Sequence, residues 1–378
     1  MPTIYFDHAA TSFPKPPAVR RAMETCMQVS GGNPGRGSHR LAARAADVIY
    51  DCREAAGTIF GTTPERVVFT GGATMSLNLA IRGLLRPGDH VLVDNMAHNA
   101  VYRPLHRLAA ENRITFAVYD ATGPVEAVLA SLESLARPNT RLVVATHMSN
   151  VCSLVEPIGA VGQLCRARGW LFVVDGAQSG GHLPIHVTDM GITALCLPGH
   201  KGLLGPQGVG LLLFHPAAPD CAPLLTGGSG THSLDPTMPT ELPEHLEAGT
   251  LPTPAIAGLH AGLSLWQSGE LAQIAAHAVS LGERFTEAAG AVPGLRFYGK
   301  TGGAVLSFGI DGISPARIAT VMDENGICVR SGYHCAPLAH RTIGSIDTGT
   351  VRVSFGYGNT EREIDRCVAV LRRLRDTT

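Results

Sequence analysis

The sequence of 378 residues contains no apolar run long enough to cross a membrane. Its longest apolar stretches, at 142–145, 171–174 and 209–214, fall far short of the roughly 18 to 20 residues that a transmembrane helix needs. The chain also lacks an excess of basic charge, because 30 Lys and Arg residues stand against 31 Asp and Glu residues. We therefore expect neither a membrane-spanning protein nor a dedicated nucleic-acid-binding protein.

Charged residues are scarce, at 16% of the chain against the ~25% of an average soluble protein. Hydrophobic residues make up 45%, and the mean hydropathy is +0.13. This composition excludes a disordered chain and supports a large buried core. At roughly 100 to 200 residues per domain, the length suggests two domains.

The nine cysteines are scattered and include no C-x-x-C pair. Their odd number and spacing support neither a disulfide framework nor a zinc site. The first eight residues lack both the basic region and the apolar region of a secretion signal. We therefore expect a cytoplasmic protein whose cysteines are mostly free thiols.

Lysine is rare, with only Lys15, Lys201 and Lys300 among the 30 basic residues. Lys15 and Lys300 lie in proline- and glycine-rich strings that predict surface turns. Lys201 lies in the glycine-rich stretch 198–210, between two predicted buried strands, where glycine lets the backbone approach a ligand closely. By its position alone, Lys201 is equally well interpreted as a solvated loop lysine.

Short aliphatic or β-branched runs alternate with helical patterns between residues 67 and 214. This alternation predicts an α/β fold with a mostly parallel sheet covered by helices. Several runs are apolar on both faces, as in strands buried between two helical layers. The seven predicted strands are 67–70, 90–93, 114–118, 141–145, 171–174, 194–197 and 209–214. The predicted helices are 76–85, 100–111, 124–135 and 158–168.

The remainder of the chain predicts a smaller α+β domain. Residues 221–254 are rich in Gly, Pro, Thr and Ser and predict a long loop. A long helical pattern at 255–289 follows, then strands at 304–308 and 351–355 flanking a helix at 315–324, and a last helix at 361–375. We expect the segment 1–15 to join this small domain, with a large domain at 16–254 and the small domain at 255–378.

Polar side chains follow several predicted strands. Asp175 ends the run at 171–174, and His98 and Asn150 lie at equivalent ends. Open α/β sheets bind ligands at this edge, so these groups and Lys201 are expected to converge there. A buried carboxylate needs a partner, although Asp175 taken alone is better explained as a helix cap.

Eight motifs in order resemble the cysteine desulfurase and selenocysteine lyase family, within the class V aminotransferase branch of fold-type I pyridoxal phosphate enzymes. They cover essentially the whole chain and are YFDHAAT (5–11), GAT (72–74), MAHN (96–99), THMSNV (146–151), DGAQ (175–178), GHK (199–201), EAGT (247–250) and RSGYHC (330–335). The resemblance implies a large domain with a seven-stranded, mostly parallel sheet and a smaller α+β domain. It also implies a homodimer with shared active sites, in which Thr250 reaches the cofactor phosphate of the neighbouring subunit.

The resemblance assigns a cofactor role to each residue at the sheet edge. Lys201 would bind pyridoxal 5'-phosphate covalently and then shuttle the Cα proton. Asp175 would pair with the pyridinium nitrogen, and His98 would stack on the ring.

The same resemblance places the other polar groups around the cofactor. Gln178 and Asn150 would lie near the phenolic oxygen and the substrate. Ala73 and Thr74 would bind the phosphate at a helix N-terminus, with His200 as a further phosphate candidate.

Cys335 points to removal of sulfur from L-cysteine, because a thiolate can capture the substrate sulfur as a persulfide while L-alanine is formed. By the resemblance, Arg330, five residues earlier, would bind the substrate carboxylate. The context is similar to SUF-type desulfurases, whose cysteine loop is constrained. We therefore expect a buried persulfide and low turnover without a sulfur-acceptor protein.

Pro198 departs from the family, which commonly has Ser or Thr there to bind phosphate, and Ala73 replaces a frequent hydroxyl residue. At ~1 kcal/mol per hydrogen bond, cofactor retention should weaken without being abolished. Alternatives are a selenocysteine lyase acting on L-selenocysteine, another class V aminotransferase or β-lyase, and a degenerate scaffold. Arg103, Arg352 and His340 are unranked candidates for lining the entrance.

Overall fold

The computed structural model describes residues 3–35 and 37–376. Its strands are β1 (Ile4–Tyr5), β2 (Val67–Thr70), β3 (Asp89–Asp94), β4 (Ile114–Tyr119), β5 (Thr140–Thr146), β6 (Leu171–Asp175), β7 (Ala194–Pro198), β8 (Gly210–Phe214), β9 (Leu295–Tyr298), β10 (Val305–Ile310), β11 (Ile327–Cys328), β12 (Arg330–Gly332) and β13 (Thr350–Ser354). Its helices are α1 (Pro17–Val29), α2 (Arg40–Phe60), α3 (Ala73–Leu84), α4 (Asn99–Ala110), α5 (Val125–Leu135), α6 (Ile158–Arg168), α7 (Thr253–Gln267), α8 (Glu270–Gly290), α9 (Pro315–Glu324), α10 (Pro337–Thr342) and α11 (Glu361–Asp376). Within the described ranges, no helix is long and apolar enough to span a bilayer.

The large sheet has seven strands in the order β2-β8-β7-β6-β5-β3-β4. Strand β8 is antiparallel to both of its neighbours, whereas the pairs from β7 to β4 are all parallel. Each of the seven predicted runs overlaps one of these strands. The predicted α/β fold with a mostly parallel sheet is confirmed.

Two hydrophobic clusters cover the two faces of this sheet. Along β6, Phe172 and Val174 belong to one cluster and Val173 to the other, because successive strand residues point to opposite faces. The first cluster takes side chains from α2, α5, α6 and α7, and the second from α3 and α4. Burial on both faces explains why these strands are continuous apolar runs.

The small domain is built on the antiparallel sheet β12-β13-β10-β9. Phe285 of α8, Ile318 of α9 and Leu371 of α11 pack in its core. The predicted strands and helices of this region are present at 305–310, 315–324, 350–354 and 361–376, so the α+β architecture is confirmed. The short strands β9, β11 and β12 were not predicted.

The N-terminal segment, which we call the strap (residues 3–16), leaves the small domain and crosses to the large one. Strand β1 pairs in parallel with β11, and Ile4 and Phe6 are buried in the small-domain core. The assignment of 1–15 to the small domain stays a prediction. Residues 1 and 2 of that segment, residue 36 of the large domain and residues 377 and 378 of the small domain lie outside the described residues.

The helical pattern predicted as one helix at 255–289 forms two helices. It is interrupted at Ser268 and Gly269, whose φ of 80° breaks α-helical geometry. The buried side chains of α7, including Leu259, join the core of the large domain, so this domain extends beyond the predicted boundary at 254. A Cβ on Gly262 would lie 2.2 Å from the carbonyl oxygen of Leu203, so α7 packs directly on the backbone that follows Lys201.

Candidate active site

A cavity of about 180 Å³ opens at the carboxyl ends of β5, β6 and β7. Parallel sheets place the residues that follow their strands at one edge, so side chains distant in sequence meet there. Eight of the predicted site residues line the cavity, namely Ala73, Thr74, His98, Asn150, Asp175, Gln178, His200 and Lys201. Pro198 also lines it, so the departure from the family lies within the site.

One end of the cavity is the N-terminus of α3. Gly72 precedes the helix with a φ of 133° and provides no side-chain cap. A Cβ on Gly210 would lie 2.5 Å from the Cα of Gly72, so the two loops approach backbone to backbone. Because the first N–H groups of a helix have no partner within it, Ala73 and Thr74 present donors to an anion. This end fits a phosphate group.

Lys201 and Asp175 form an opposite-charge pair in the interior of the site. Burial, assisted by Arg352 and Arg330, lowers the pKa of Lys201 to about 8, and Asp175 opposes this shift. Burial also raises the pKa of Asp175, which the N–H of Ala177 and the lysine counteract. The lowered pKa leaves an appreciable fraction of neutral, nucleophilic amine near pH 7, and the neutral amine becomes the major form above about pH 8.

His98 caps α4, with Nδ1 accepting a hydrogen bond from the N–H of Ala100 at 3.0 Å. Burial and the nearby charges of Lys201 and Arg330 lower its pKa to about 4. The ring is therefore neutral near pH 7, with its proton on Nε2. A neutral, fixed imidazole is suited to stacking on an aromatic ring.

Two amides in the cavity are oriented by backbone carbonyls. Asn150 donates through Nδ2 to the carbonyl oxygen of His334 at 2.7 Å, and Gln178 donates through Nε2 to that of Ala9 at 2.9 Å. The Oδ1 of Asn150 is buried without a hydrogen-bond partner among the described residues. Such an orphaned acceptor fits a site that is completed by a ligand.

His200 is a neutral side chain at the edge of the cavity. Its Nδ1 lies 3.0 Å from the Oγ1 of Thr11, and burial with Lys201 and Lys15 lowers its pKa to about 4. Near pH 7 the ring therefore offers a phosphate at most a neutral hydrogen bond.

Cys335 lies on the loop between β12 and α10, and its side chain is exposed. His334 and Cys335 both have left-handed backbone conformations, with φ of 49° and 58°. The carbonyl of Cys335 accepts the N–H of Asn99 at 2.7 Å, so the loop is fastened beside His98. Arg330 Nη2 lies 3.7 Å from Cys335 Sγ. The expected burial of this sulfur is wrong for the isolated chain.

The thiol opens into a separate groove of about 580 Å³. Its lining includes aromatic and basic side chains of α4 and of the cysteine loop, namely Tyr102, Arg103, His106, Arg107 and Tyr333. Arg103 lines this groove together with Cys335, and its role at the entrance of the cavity stays a prediction.

Arg352 and His340 do not line an entrance. Arg352 is 1% exposed, and its guanidinium binds Asp7 Oδ1 at 2.6 Å and the carbonyl oxygen of Asn150 at 3.0 Å. His340 is fully buried with Nδ1 2.7 Å from Ser345 Oγ. Both side chains lie on the buried side of the loop that carries Cys335. Their positions in the sequence do not reveal this arrangement.

Lys15 is half-buried, and its predicted place in a surface turn is wrong. Its Nζ donates to Ser12 Oγ and to the carbonyl oxygen of His200, both at 2.7 Å. Burial lowers the pKa of Lys15 to about 8. Lys300, by contrast, is exposed in a turn as predicted.

Thr250 is exposed and lies outside the cavity of its own chain. Its Oγ1 accepts a hydrogen bond from Asn33 Nδ2 at 3.5 Å. Its predicted role on a neighbouring subunit stays a prediction.

The cavity of a single chain thus gathers a reactive amine, a carboxylate, a neutral imidazole and an anion-binding helix end. These groups fit pyridoxal phosphate.

Comparisons with known proteins agree with this arrangement. Residues 4–367 match the Aminotransferase class-V family. A probable cysteine desulfurase of Methanothermobacter thermautotrophicus is 33% identical over 372 residues, covering 96% of this chain and 92% of the relative. A probable cysteine desulfurase of Mycolicibacterium paratuberculosis is 32% identical, and the match covers 99% of this chain but 55% of that longer protein. The apo structure of cysteine desulfurase from Thermococcus onnurineus NA1 superposes with a TM-score of 0.90 at 30% identity, covering 100% of this chain and 95% of the other.

Proposed function

Because this chain belongs to the aminotransferase class-V family, we propose that it is a pyridoxal phosphate-dependent cysteine desulfurase. It converts L-cysteine to L-alanine and transfers the sulfur first to Cys335 and then to an acceptor. The observation that carries this proposal is the position of Cys335, whose loop is fastened to the residue after His98 and whose Sγ lies 3.7 Å from Arg330 Nη2.

Residues of the cavity hold the cofactor in this proposal. The start of α3, with Ala73 and Thr74, would bind the phosphate, Asp175 would pair with the ring nitrogen, and His98 would stack on the ring. Gln178 and Asn150 provide the polar groups beside it, with His200 as a neutral donor at the edge. When bound, pyridoxal phosphate withdraws electrons from the substrate Cα.

Lys201 would hold the cofactor and would move the proton at the substrate Cα. A lysine with an ordinary pKa is almost entirely protonated near pH 7, whereas a pKa of about 8 leaves an appreciable fraction neutral. The neutral amine can attack a carbonyl carbon and accept a proton, and its ammonium form can return the proton.

Cys335 receives the sulfur. Its thiolate forms an S–S bond with the substrate sulfur as the Cβ–S bond breaks, and the electron pair of that bond stays with the carbon fragment. That fragment takes up a proton and leaves as alanine. Arg330 would bind the substrate carboxylate, and its Nη2 lies 3.7 Å from Sγ, so the carboxylate and the sulfur meet at one place.

The second half of the proposal concerns partners. The exposed thiol and its groove, lined by Arg103 and Tyr333, give a sulfur-acceptor protein access to the persulfide. We also propose a homodimer in which Thr250 completes the phosphate site of the neighbouring subunit, since Thr250 lies outside the cavity of its own chain. The free thiols of the described residues favour a reducing, cytoplasmic location.

The test is an absorbance spectrum of the purified protein at about 420 nm, as expected for a lysine-bound cofactor, before and after addition of L-cysteine. Alanine and sulfide are assayed in parallel. Cys335→Ala should stay yellow but lose both products, while Cys328→Ala, the matched control at a partly buried thiol, should keep them.

Two outcomes contradict the proposal. A protein that takes up no cofactor removes its basis and favours the scaffold alternative suggested by Pro198. A Cys335→Ala variant that still releases selenide from L-selenocysteine at the rate of the unaltered protein, when the latter is inactive on L-cysteine, identifies a selenocysteine lyase.

A further inference from the structure

Most hydrogen bonds from the strap to the turn that carries Lys201 end on one atom, the carbonyl oxygen of His200. This oxygen accepts hydrogen bonds from Lys15 Nζ at 2.7 Å and from the N–H of Ser12 at 3.0 Å. The hydroxyls of Thr11 and Ser12 lie 3.2 and 3.1 Å away. Four donors of one short segment thus surround a single backbone acceptor 185 or more residues away in sequence.

Lys15 makes the shortest of these contacts, and its charge makes that contact the strongest, because hydrogen bonds from an ionised donor are roughly twice as strong as neutral ones. The ammonium is also held by Ser12 Oγ at 2.7 Å, and its stem is half-buried. Such a group has little freedom to leave the carbonyl.

The carbonyl of His200 belongs to the peptide group that also contains the N–H of Lys201. The rest of the turn is fixed from within the large domain, by bonds from Leu204 N–H to the Lys201 carbonyl at 2.9 Å and from Gly205 N–H to the Gly199 carbonyl at 2.8 Å. The peptide immediately before Lys201 is held from outside that domain, by the strap.

We propose that Lys15 is a positioning residue for Lys201, fixing the His200–Lys201 peptide so that the catalytic amine starts from one defined place. The strap that presents Lys15 is itself anchored on the small domain. Phe6 N–H donates to the Cys328 carbonyl at 2.9 Å, and Asp7 pairs with Arg352. The proposal rests on the role of Lys201 in the proposed function.

The test compares Lys15→Met, which keeps the length of the stem but removes the charge, with Lys15→Arg, which keeps a cation, and with Lys300→Met at the exposed lysine. The bound cofactor is removed from each purified protein, pyridoxal phosphate is added back, and the growth of the visible absorbance is followed. We expect Lys15→Met to attach the cofactor about tenfold more slowly, as for a reactive group displaced by a fraction of an ångström, and Lys15→Arg to recover most of the rate. Lys300→Met should match the unaltered protein.

Steady-state kinetics give a second readout. Lys15→Met should lower kcat with little change in KM for L-cysteine, because Lys15 does not line the substrate cavity. Attachment rate and kcat equal to those of the unaltered protein in Lys15→Met overturn the proposal. A loss that Lys15→Arg does not rescue, together with a lowered melting temperature in both variants, also overturns it by showing a structural role.

If Lys15→Met does not fold, Lys15→Gln, which keeps a neutral donor, takes its place in the same comparison. Cofactor attachment needs no sulfur chemistry. A chain that binds the cofactor through Lys201 but fails to release sulfide therefore disproves the proposed function, while the attachment rates still decide the role of Lys15.

Discussion

The surroundings of Lys201 and of Cys335 differ in almost every physical respect. Lys201 lines the cavity at the carboxyl ends of strands of the large sheet, where burial lowers its pKa to about 8. Cys335 is exposed on a loop of the small domain that has two left-handed residues and opens into a groove. A lysine that works on a bound cofactor benefits from exclusion of water, whereas a thiol that must hand sulfur to another molecule needs to be reached.

The difference separates two functions that one active site combines. The chemistry at the substrate Cα depends on the electrostatics of the interior, set by Asp175 and by burial. In the proposed function, the transfer of sulfur depends on access to Cys335, beside which Arg330 Nη2 lies at 3.7 Å. Changes on one side should therefore leave the measurable properties of the other side largely intact.

The largest effect is expected from removing Lys201, which tests whether the two regions act independently. Lys201→Ala should lower alanine formation by about 10³-fold or more and abolish the lysine-linked absorbance. The reactivity of the Cys335 thiol toward a small alkylating reagent should stay unchanged, since the thiol lies outside the cavity. Parallel loss of thiol reactivity would show that the two regions are not independent.

The pH dependence of cofactor attachment sharpens the comparison with a smaller effect. Only the neutral amine attacks, so the attachment rate should rise with pH and level off above about 8, where the amine of Lys201 is deprotonated. An ordinary lysine amine, measured as a control on a free peptide, keeps gaining rate toward pH 10. A rate in the protein that rises in the same way as in the peptide would contradict the lowered pKa.

The smallest expected effect concerns Pro198. Pro198→Ser places a hydroxyl in the lining of the cavity and should slow dissociation of the cofactor about fivefold. The reason is that one additional hydrogen bond to the cofactor phosphate is worth ~1 kcal/mol. Pro198→Ala is the matched control, because it removes the ring without adding a hydroxyl. Equal dissociation rates in the two variants would show that the hydroxyl does not reach the ligand.

The strands and the cavity residues could be predicted because they follow local rules. Apolar runs such as Val67–Thr70 are buried on both faces, and parallel strands bring the residues after them to one edge. His98, Asn150, Asp175 and Lys201 were therefore expected together. Their roles came from the resemblance to a family, since strand ends alone do not distinguish a catalytic carboxylate from a helix cap.

The support of the site could not be predicted in this way. Lys15 reaches the carbonyl of His200 across 185 residues, and Arg352 binds Asp7 across 345. Hydrophobic periodicity does not predict such pairs, because they depend on how two domains pack against each other. The string around Lys15, residues 13–17, contains three prolines and indicates a surface turn. Lysine occurs at only three positions in the chain, and this rarity was the one signal in the sequence that drew attention to Lys15.

The two bonds that hold Asn150 have a consequence for what the cavity accepts. Its side-chain nitrogen Nδ2 donates to the carbonyl of His334, and its backbone carbonyl oxygen accepts a hydrogen bond from Arg352 Nη1. A flip of the side-chain amide would break the buried bond from Nδ2 to His334, so Oδ1 stays the atom without a partner among the described residues, and it can only accept a hydrogen bond. Whatever lies against Asn150 Oδ1 must bring its own hydrogen, so this position selects ligands by protonation state as well as by shape.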